Sequence, residues 1–128
     1  MRYSLLVTGG PDSQAADSAL LTARAILGRG HSLYRVFFYR QGVGLASRLN
    51  VSDGETPDIN QQWQTFLGEH EIDAVVCVGA ALRRGILDDS EAQRHQRSAA
   101  NLATGFTLSG LGQWADALIV SDRVMQFG

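Results

Sequence analysis

The chain contains no lysine: all 11 of its basic residues are arginines. That excludes Schiff-base chemistry and a P-loop lysine. Cysteine occurs once, as Cys77, so no internal disulfide can form and multi-cysteine metal sites are ruled out. The three histidines, His31, His70 and His95, are dispersed and give no metal-ligand spacing; no metal is expected. No apolar run approaches the about 20 residues of a membrane span. The opening "MRYSLLVTGG" is broken by glycines too soon for a secretory signal. A lone thiol without such a signal points to the cytoplasm, where thiols stay reduced. Net charge is −2, so the chain lacks the basic field that nucleic acid requires, and neither nucleic-acid nor membrane binding is expected.

What is present is a regular alternation. The 128 residues fit one domain, and apolar strand-like runs alternate with helix-period segments. Tyr3–Thr8 is a strand ended by Gly9, Gly10 and Pro11. Asp12 or Ser13 then caps a helix through Arg29, with Ala16, Ala19, Leu20, Ala23 and Leu27 on its inner face. Leu33–Tyr39 is a second strand. Arg40–Pro57 is irregular, with a short helix over Val43–Leu49. Asp58 opens a helix that places Ile59, Trp63, Phe66 and Leu67 on one face, with Gln61 set for a capping contact. Ile72–Val78 is apolar at nearly every position, as a parallel strand covered on both faces should be. Helical turns over Gly79–Leu87 and a helix over Asp88–Leu102 lead to a strand at Gly105–Ser109. A helix follows over Gly110–Val120, its face Leu111, Trp114, Ala115, Leu118 and Ile119, and then a last strand at Arg123–Phe127. The pattern predicts an α/β fold with a mostly parallel sheet and helices on both faces.

Cys77 falls at the carboxyl end of its strand, where parallel α/β sheets collect their chemistry. The segment that follows, "VGAALRRG", begins a helix whose free N–H groups and dipole favour a thiolate. Arg83 and Arg84 lie further along that helix, which should point them away from Cys77. Against this stands the plain alternative of a small packed hydrophobe, since free cysteine is often just buried. No histidine is positioned by the sequence as a base, so a reacting Cys77 suits sulfur exchange better than a triad.

Other motifs carry less. "GLGQWA", from Gly110, matches a dinucleotide fingerprint in form but lacks the acidic residue about 20 positions on. Its glycines are then expected to allow a tight strand-to-helix turn with close packing. Asp88 and Asp89 point to different faces of any helix and read as charges of its first turn.

Five blocks are more telling together: "VTGG" at 7–10, "VFFYRQGV" at 36–43, "CVGAALRRG" at 77–85, "GFTLSGLG" at 105–112 and "DRVMQF" at 122–127. In this order, over the whole length, they resemble the DsrE family of sulfur-relay subunits. The resemblance implies a three-layer α/β/α fold with a five-stranded sheet, and Cys77 as the residue that accepts a persulfide sulfur. It implies a TusA-like donor, a TusE-like acceptor, and a hetero-oligomer with TusB-like and TusC-like subunits that serves 2-thiouridine synthesis at the tRNA wobble position. No cofactor is implied. A DsrE-type role in dissimilatory sulfur oxidation, and a non-catalytic assembly role, are the alternatives. Rim groups expected near Cys77 are the Gly9–Gly10 turn, Arg40 and Arg83.

Overall fold

A computed structural model describes residues 1–128. Strands β1 (Arg2–Val7), β2 (Ser32–Phe38), β3 (Ala74–Cys77), β4 (Phe106–Ser109) and β5 (Arg123–Phe127) form one sheet in the order β4-β3-β2-β1-β5. Every neighbouring pair is parallel, so the sheet expected to be mostly parallel is wholly so. Parallel strands must be joined by crossovers, and the helices supply them. Helices α1 (Gln14–Gly28) and α2 (Ile59–His70) cover one face. Trp63 of α2 meets Phe38 edge-on at 5.3 Å and donates its Nε1–H to the Ala16 carbonyl at 3.3 Å. The short helices α3 (Val78–Arg83) and α4 (Asp89–Arg94) occupy the connection from β3 to β4. Helix α5 (Gly112–Val120) covers the other face, with Trp114 6.2 Å from Phe37. No helix is long and apolar enough to cross a membrane.

Local chemistry accounts for the helix starts. The Ser13 hydroxyl accepts from the Ala16 N–H and the Asp58 carboxylate from the Gln61 N–H, each satisfying an orphan donor of a first turn. The buried face of α2 is the expected one, Ile59, Trp63, Phe66 and Leu67, with Asn60 beside them. In α1 the last buried position is Ile26 rather than Leu27. The helix expected over Val43–Leu49 is instead a 3₁₀ segment at Arg40–Ala46. The helix expected over Asp88–Leu102 stops at Arg94, because Gln96 adopts a left-handed backbone (φ 56°) that no helix continues. Gly110 and Gly112 have open space where a Cβ would stand, so their turn does not depend on close packing.

Helix α5 differs most from expectation. Much of its apolar stripe faces outward: Leu111, Ala115, Leu118 and Ile119 are exposed, Trp114 packs against the core, and Ala117, outside the expected stripe, is its one buried residue. The cause lies in β2. Arg35 is buried among apolar neighbours, and a buried guanidinium needs carboxylate partners. Its Nε donates to Asp73 at 2.8 Å, and its Nη1 donates to Asp116 at 3.0 Å and to the Gln113 carbonyl at 2.7 Å. The Tyr34 hydroxyl donates to the same Asp116 oxygen at 2.6 Å. These bonds fix the rotation of α5 by its Gln113–Asp116 turn, with Trp114 and Ala117 on the inner side.

The Tyr34 hydrogen bond, followed by Arg35, holds the Asp116 carboxyl below the usual carboxylate range. A carboxylate whose folded pKa is depressed contributes stability above its unfolded pKa of about 3.9 and loses it as pH falls through the folded value. Asp116→Asn is therefore expected to lower the thermal midpoint at pH 7, and the gap to wild type should narrow as pH drops below about 4. A gap unchanged across that range, followed by circular dichroism, would show that the ionised pair is not its source.

Candidate functional site

Parallel pairing brings all five carboxyl ends to one rim, and Cys77 stands on it. It is the last residue of β3 and the N-cap position of α3, and it is 6% exposed. The short apolar run of Ala74, Val75 and Val76 locks the strand into the core, and Ala80 and Ala81 of α3 pack beneath the rim. The helical segment expected after Cys77 thus begins at the very next residue, though it spans only six residues.

Register and alternation decide which way Cys77 faces. Leu6 pairs with Phe37 and with Gln126, and Phe37 pairs with Val75. Side chains two residues apart on a strand share a face. Cys77, Tyr39, Thr8 and Gly128 therefore form the next row, on the α5 side of the sheet. In-sheet neighbours stand about 4.8 Å apart, which puts Tyr39 one spacing from Cys77 and Thr8 two, about 10 Å away.

A cavity of about 660 Å³ opens along this row. Leu6, Thr8, Tyr39, Arg40, Arg84 and Gln126 line it. Of the expected rim groups, Arg40 lies in the cavity. Arg83 does not, and its neighbour Arg84 takes that place. Neither arginine points away from the start of α3. Arg84 Nη1 turns back to donate to the Ala80 carbonyl at 3.3 Å, and Arg83 Nη1 stands 3.6 Å from where a Gly79 side chain would begin. The Gly9–Gly10 turn is buried beside the rim: Gly9 N–H donates to the Phe127 carbonyl at 3.3 Å, and Gly10 is pressed against Gln41.

The histidines are elsewhere. His31 precedes β2 and His70 precedes β3, which places both at the amino edge of the sheet, opposite Cys77. His31 Nδ1 contacts the Met1 amino group at 2.9 Å, and the His70 ring lies 4.9 Å from Phe66. His95 contacts Glu91 at 3.1 Å. No histidine–cysteine pair is formed. A second cavity, of about 530 Å³, lies between the start of α1 and the 50–58 loop. Four aspartates line it: Asp58 caps α2, Asp53 accepts from the Glu55 and Thr56 N–H groups and from the Thr56 hydroxyl, and Asp12 and Asp17 make no side-chain hydrogen bond.

Sequence reasoning chose Arg83 rather than Arg84 as the rim group and missed Arg35 as the organiser of α5. The signal for Arg35 was available, a single charge within the otherwise apolar core of "SLYRVFF". No sequence signal separates Arg83 from Arg84.

The sequence profile of the DsrE/DsrF-like family matches residues 1–127. A Salmonella arizonae protein named Sulfurtransferase TusD is 49% identical over 128 residues, covering 99% of this chain and 100% of that one. A Salmonella typhi protein of the same name is 48% identical with the same coverage. Among solved structures, the crystal structure of the ychN protein from E. coli superposes with a TM-score of 0.77 over 99% of this chain and 100% of that chain. At 23% identity, that likeness speaks for the fold alone.

Proposed function

This chain belongs to the DsrE/DsrF-like family and is a sulfurtransferase, and from that premise we propose that Cys77 is the residue that carries the sulfur. The observation that carries the reading is the place of the only cysteine: on the carboxyl rim of the sheet, in the same row as a cavity lined by two arginines. Carboxyl rims are where parallel α/β proteins do their chemistry.

The proposed step is thiol–persulfide exchange. The Cys77 thiolate attacks the outer sulfur of a donor persulfide, R–S–SH. The donor S–S bond breaks, a new bond forms from Cys77 Sγ to that sulfur, and R–S⁻ leaves. An acceptor thiolate then repeats the attack on the Cys77 persulfide and restores the thiolate. Two electrons move with each bond, no net oxidation occurs, and no cofactor is needed. Rates of such exchange depend on thiolate fraction, leaving-group pKa and access.

The finer reading gives a TusA-like protein as donor and a TusE-like protein as acceptor, in the relay for tRNA wobble-position 2-thiouridine, with TusB-like and TusC-like subunits alongside. The outward apolar stripe supports the hetero-oligomer. Leu118 and Ile119 of α5 are exposed, and so is Val124 of β5, which pairs with Ser4 and shares the α5 side of the sheet. Lone exposed apolar residues are ordinary, but a contiguous patch marks a contact surface. A subunit seated there would border the face that carries Cys77. Ile119→Asp is expected to release this chain from co-purified TusB-like and TusC-like subunits, read as a loss of the assembly's mass by light scattering. Unchanged mass would place the contact elsewhere. Sulfur uptake itself is tested by intact mass after exposure to a persulfide-loaded donor, with and without reductant.

A further inference from the structure

The cavity on the rim that carries Cys77 has a charge pattern that the exchange step does not use; Cys77 itself is buried and is not among its lining residues. Two guanidiniums, from Arg40 and Arg84, line it together; Gly128 also lines it, and no aspartate or glutamate side chain does. Neither lies within ion-pair distance of a carboxylate; the ion pairs of the chain involve Arg35, Arg94 and His95. A guanidinium has five N–H donors. Between them these two make one hydrogen bond, Arg84 to Ala80 at 3.3 Å. Both residues are exposed, and each has one contact within the chain. The Arg40 guanidinium lies 5.8 Å from the Tyr39 ring centroid, a cation–π contact. Its backbone sits at φ 51°, a conformation that costs a non-glycine residue energy and that collects at functional sites.

The cavity also sits where the fold makes crevices. From β1 the chain leaves through α1 toward β2 on one side, and it returns through α5 to β5 on the other. The crevice between β1 and β5 is the topological switch point of the sheet, the usual ligand site of open α/β folds. At about 660 Å³ it has the size of a small-molecule pocket, about 300–1,000 Å³, and is far larger than one sulfur atom.

We propose that this cavity is an anion subsite that binds a carboxylate of the molecule bringing sulfur to Cys77, through Arg40 and Arg84. The proposal rests on the reading of Cys77 as the sulfur acceptor. Two parallel N–H···O bonds from a guanidinium match the geometry of a carboxylate. The two strand spacings from Thr8 to Cys77, about 10 Å, fit a carrier of roughly tripeptide size whose carboxylate and sulfur lie at opposite ends. The carboxylate belongs either to a free low-molecular-weight thiol or to an acidic side chain of a protein carrier.

The test has a binding arm and a transfer arm. Binding is measured on Cys77→Ala protein by titration calorimetry at low salt. One probe is S-methylglutathione, an unreactive tripeptide thioether. The other is a blocked pentapeptide with a single glutamate. Arg84→Gln and Arg40→Asn are then introduced, asparagine being chosen because it tolerates the left-handed backbone. Saturable binding of either probe, at least tenfold weaker in each variant, is the expected result; which probe binds identifies the source of the carboxylate. No saturable binding of either probe, or binding indifferent to both substitutions, overturns the proposal. In the transfer arm, persulfide formation on Cys77 is followed by intact mass. Glutathione persulfide should load the wild type at least tenfold faster than the Arg40→Asn/Arg84→Gln double variant. The uncharged persulfide of 2-mercaptoethanol should load both alike. Equal loading of both proteins by both carriers overturns the subsite and leaves Cys77 as acceptor. No loading from either carrier overturns both.

Discussion

Cys77→Ala protein takes up no sulfur from a persulfide donor, whereas the wild type gains one sulfur atom that reductant removes. The expectation is all-or-none because no second cysteine exists to inherit the role. Alanine is the better substitution. The site is 6% exposed, and a serine hydroxyl left there without a partner would cost about 1–3 kcal/mol, which would confuse loss of fold with loss of chemistry. Alanine removes only the sulfur and its packing. Circular dichroism on both proteins should show the same secondary structure. Uptake that persists in the alanine variant would place the sulfur elsewhere and return Cys77 to a packing role.

Gly42→Ala should destabilise the chain by about 2–3 kcal/mol, within the range for forced overpacking. The added Cβ would collide with the Val7 carbonyl oxygen, and it would stand 2.8 Å from the Val7 carbonyl carbon and 3.3 Å from Thr8 Cα. All three are backbone atoms at the end of β1, which is paired on both sides and has little freedom to move. The Gly42 N–H also donates to the Tyr39 carbonyl at 2.9 Å, so displacing Gly42 displaces the turn that carries Arg40. A fall in the urea midpoint should therefore come with weakened anion binding. Gly68→Ala serves as the contrast. Gly68 lies inside α2 with nothing within 4 Å of an added Cβ, and alanine there should gain about 0.5–1 kcal/mol from helix propensity. Opposite signs from the same chemical change would locate the effect in the contact with β1. Equal, small effects would mean that the 3₁₀ segment yields.

The strands were legible because each is a short apolar run bounded by glycine or by polar residues, and the observed bounds lie within about two residues of those read from sequence. The position of Cys77 was legible for the same reason, since it closes such a run. Helices α1 and α2 were legible from their stripes. Helix α5 was legible as a helix, and Trp114 as an inner residue, but the exposure of Leu111, Leu118 and Ile119 was not, because periodicity ranks residues by apolar character and cannot see that Arg35, about 80 positions earlier, bonds Asp116 and the Gln113 carbonyl. The folding-back of Arg83 and Arg84 was equally hidden. Helical geometry alone sends both side chains outward from Cys77, and only tertiary packing turns Arg84 into the cavity. Gly42 was visible as a glycine in an irregular stretch, but its closeness to β1 belongs to the folded chain.

The strand order has a consequence for synthesis. The first strand, β1, lies inside the sheet, and one of its edges pairs only with β5, Tyr3 against Arg123 through Val7 against Phe127. A chain emerging from the ribosome can dock β2 and β3 early, yet that edge of β1 stays bare until residues 123–127 have been made. Pairings so distant in sequence form slowly, and open strand edges recruit other chains. Nascent or truncated forms lacking residues 123–127 would carry an apolar strand with unpaired backbone groups, the kind of surface that chaperones bind and that seeds aggregates.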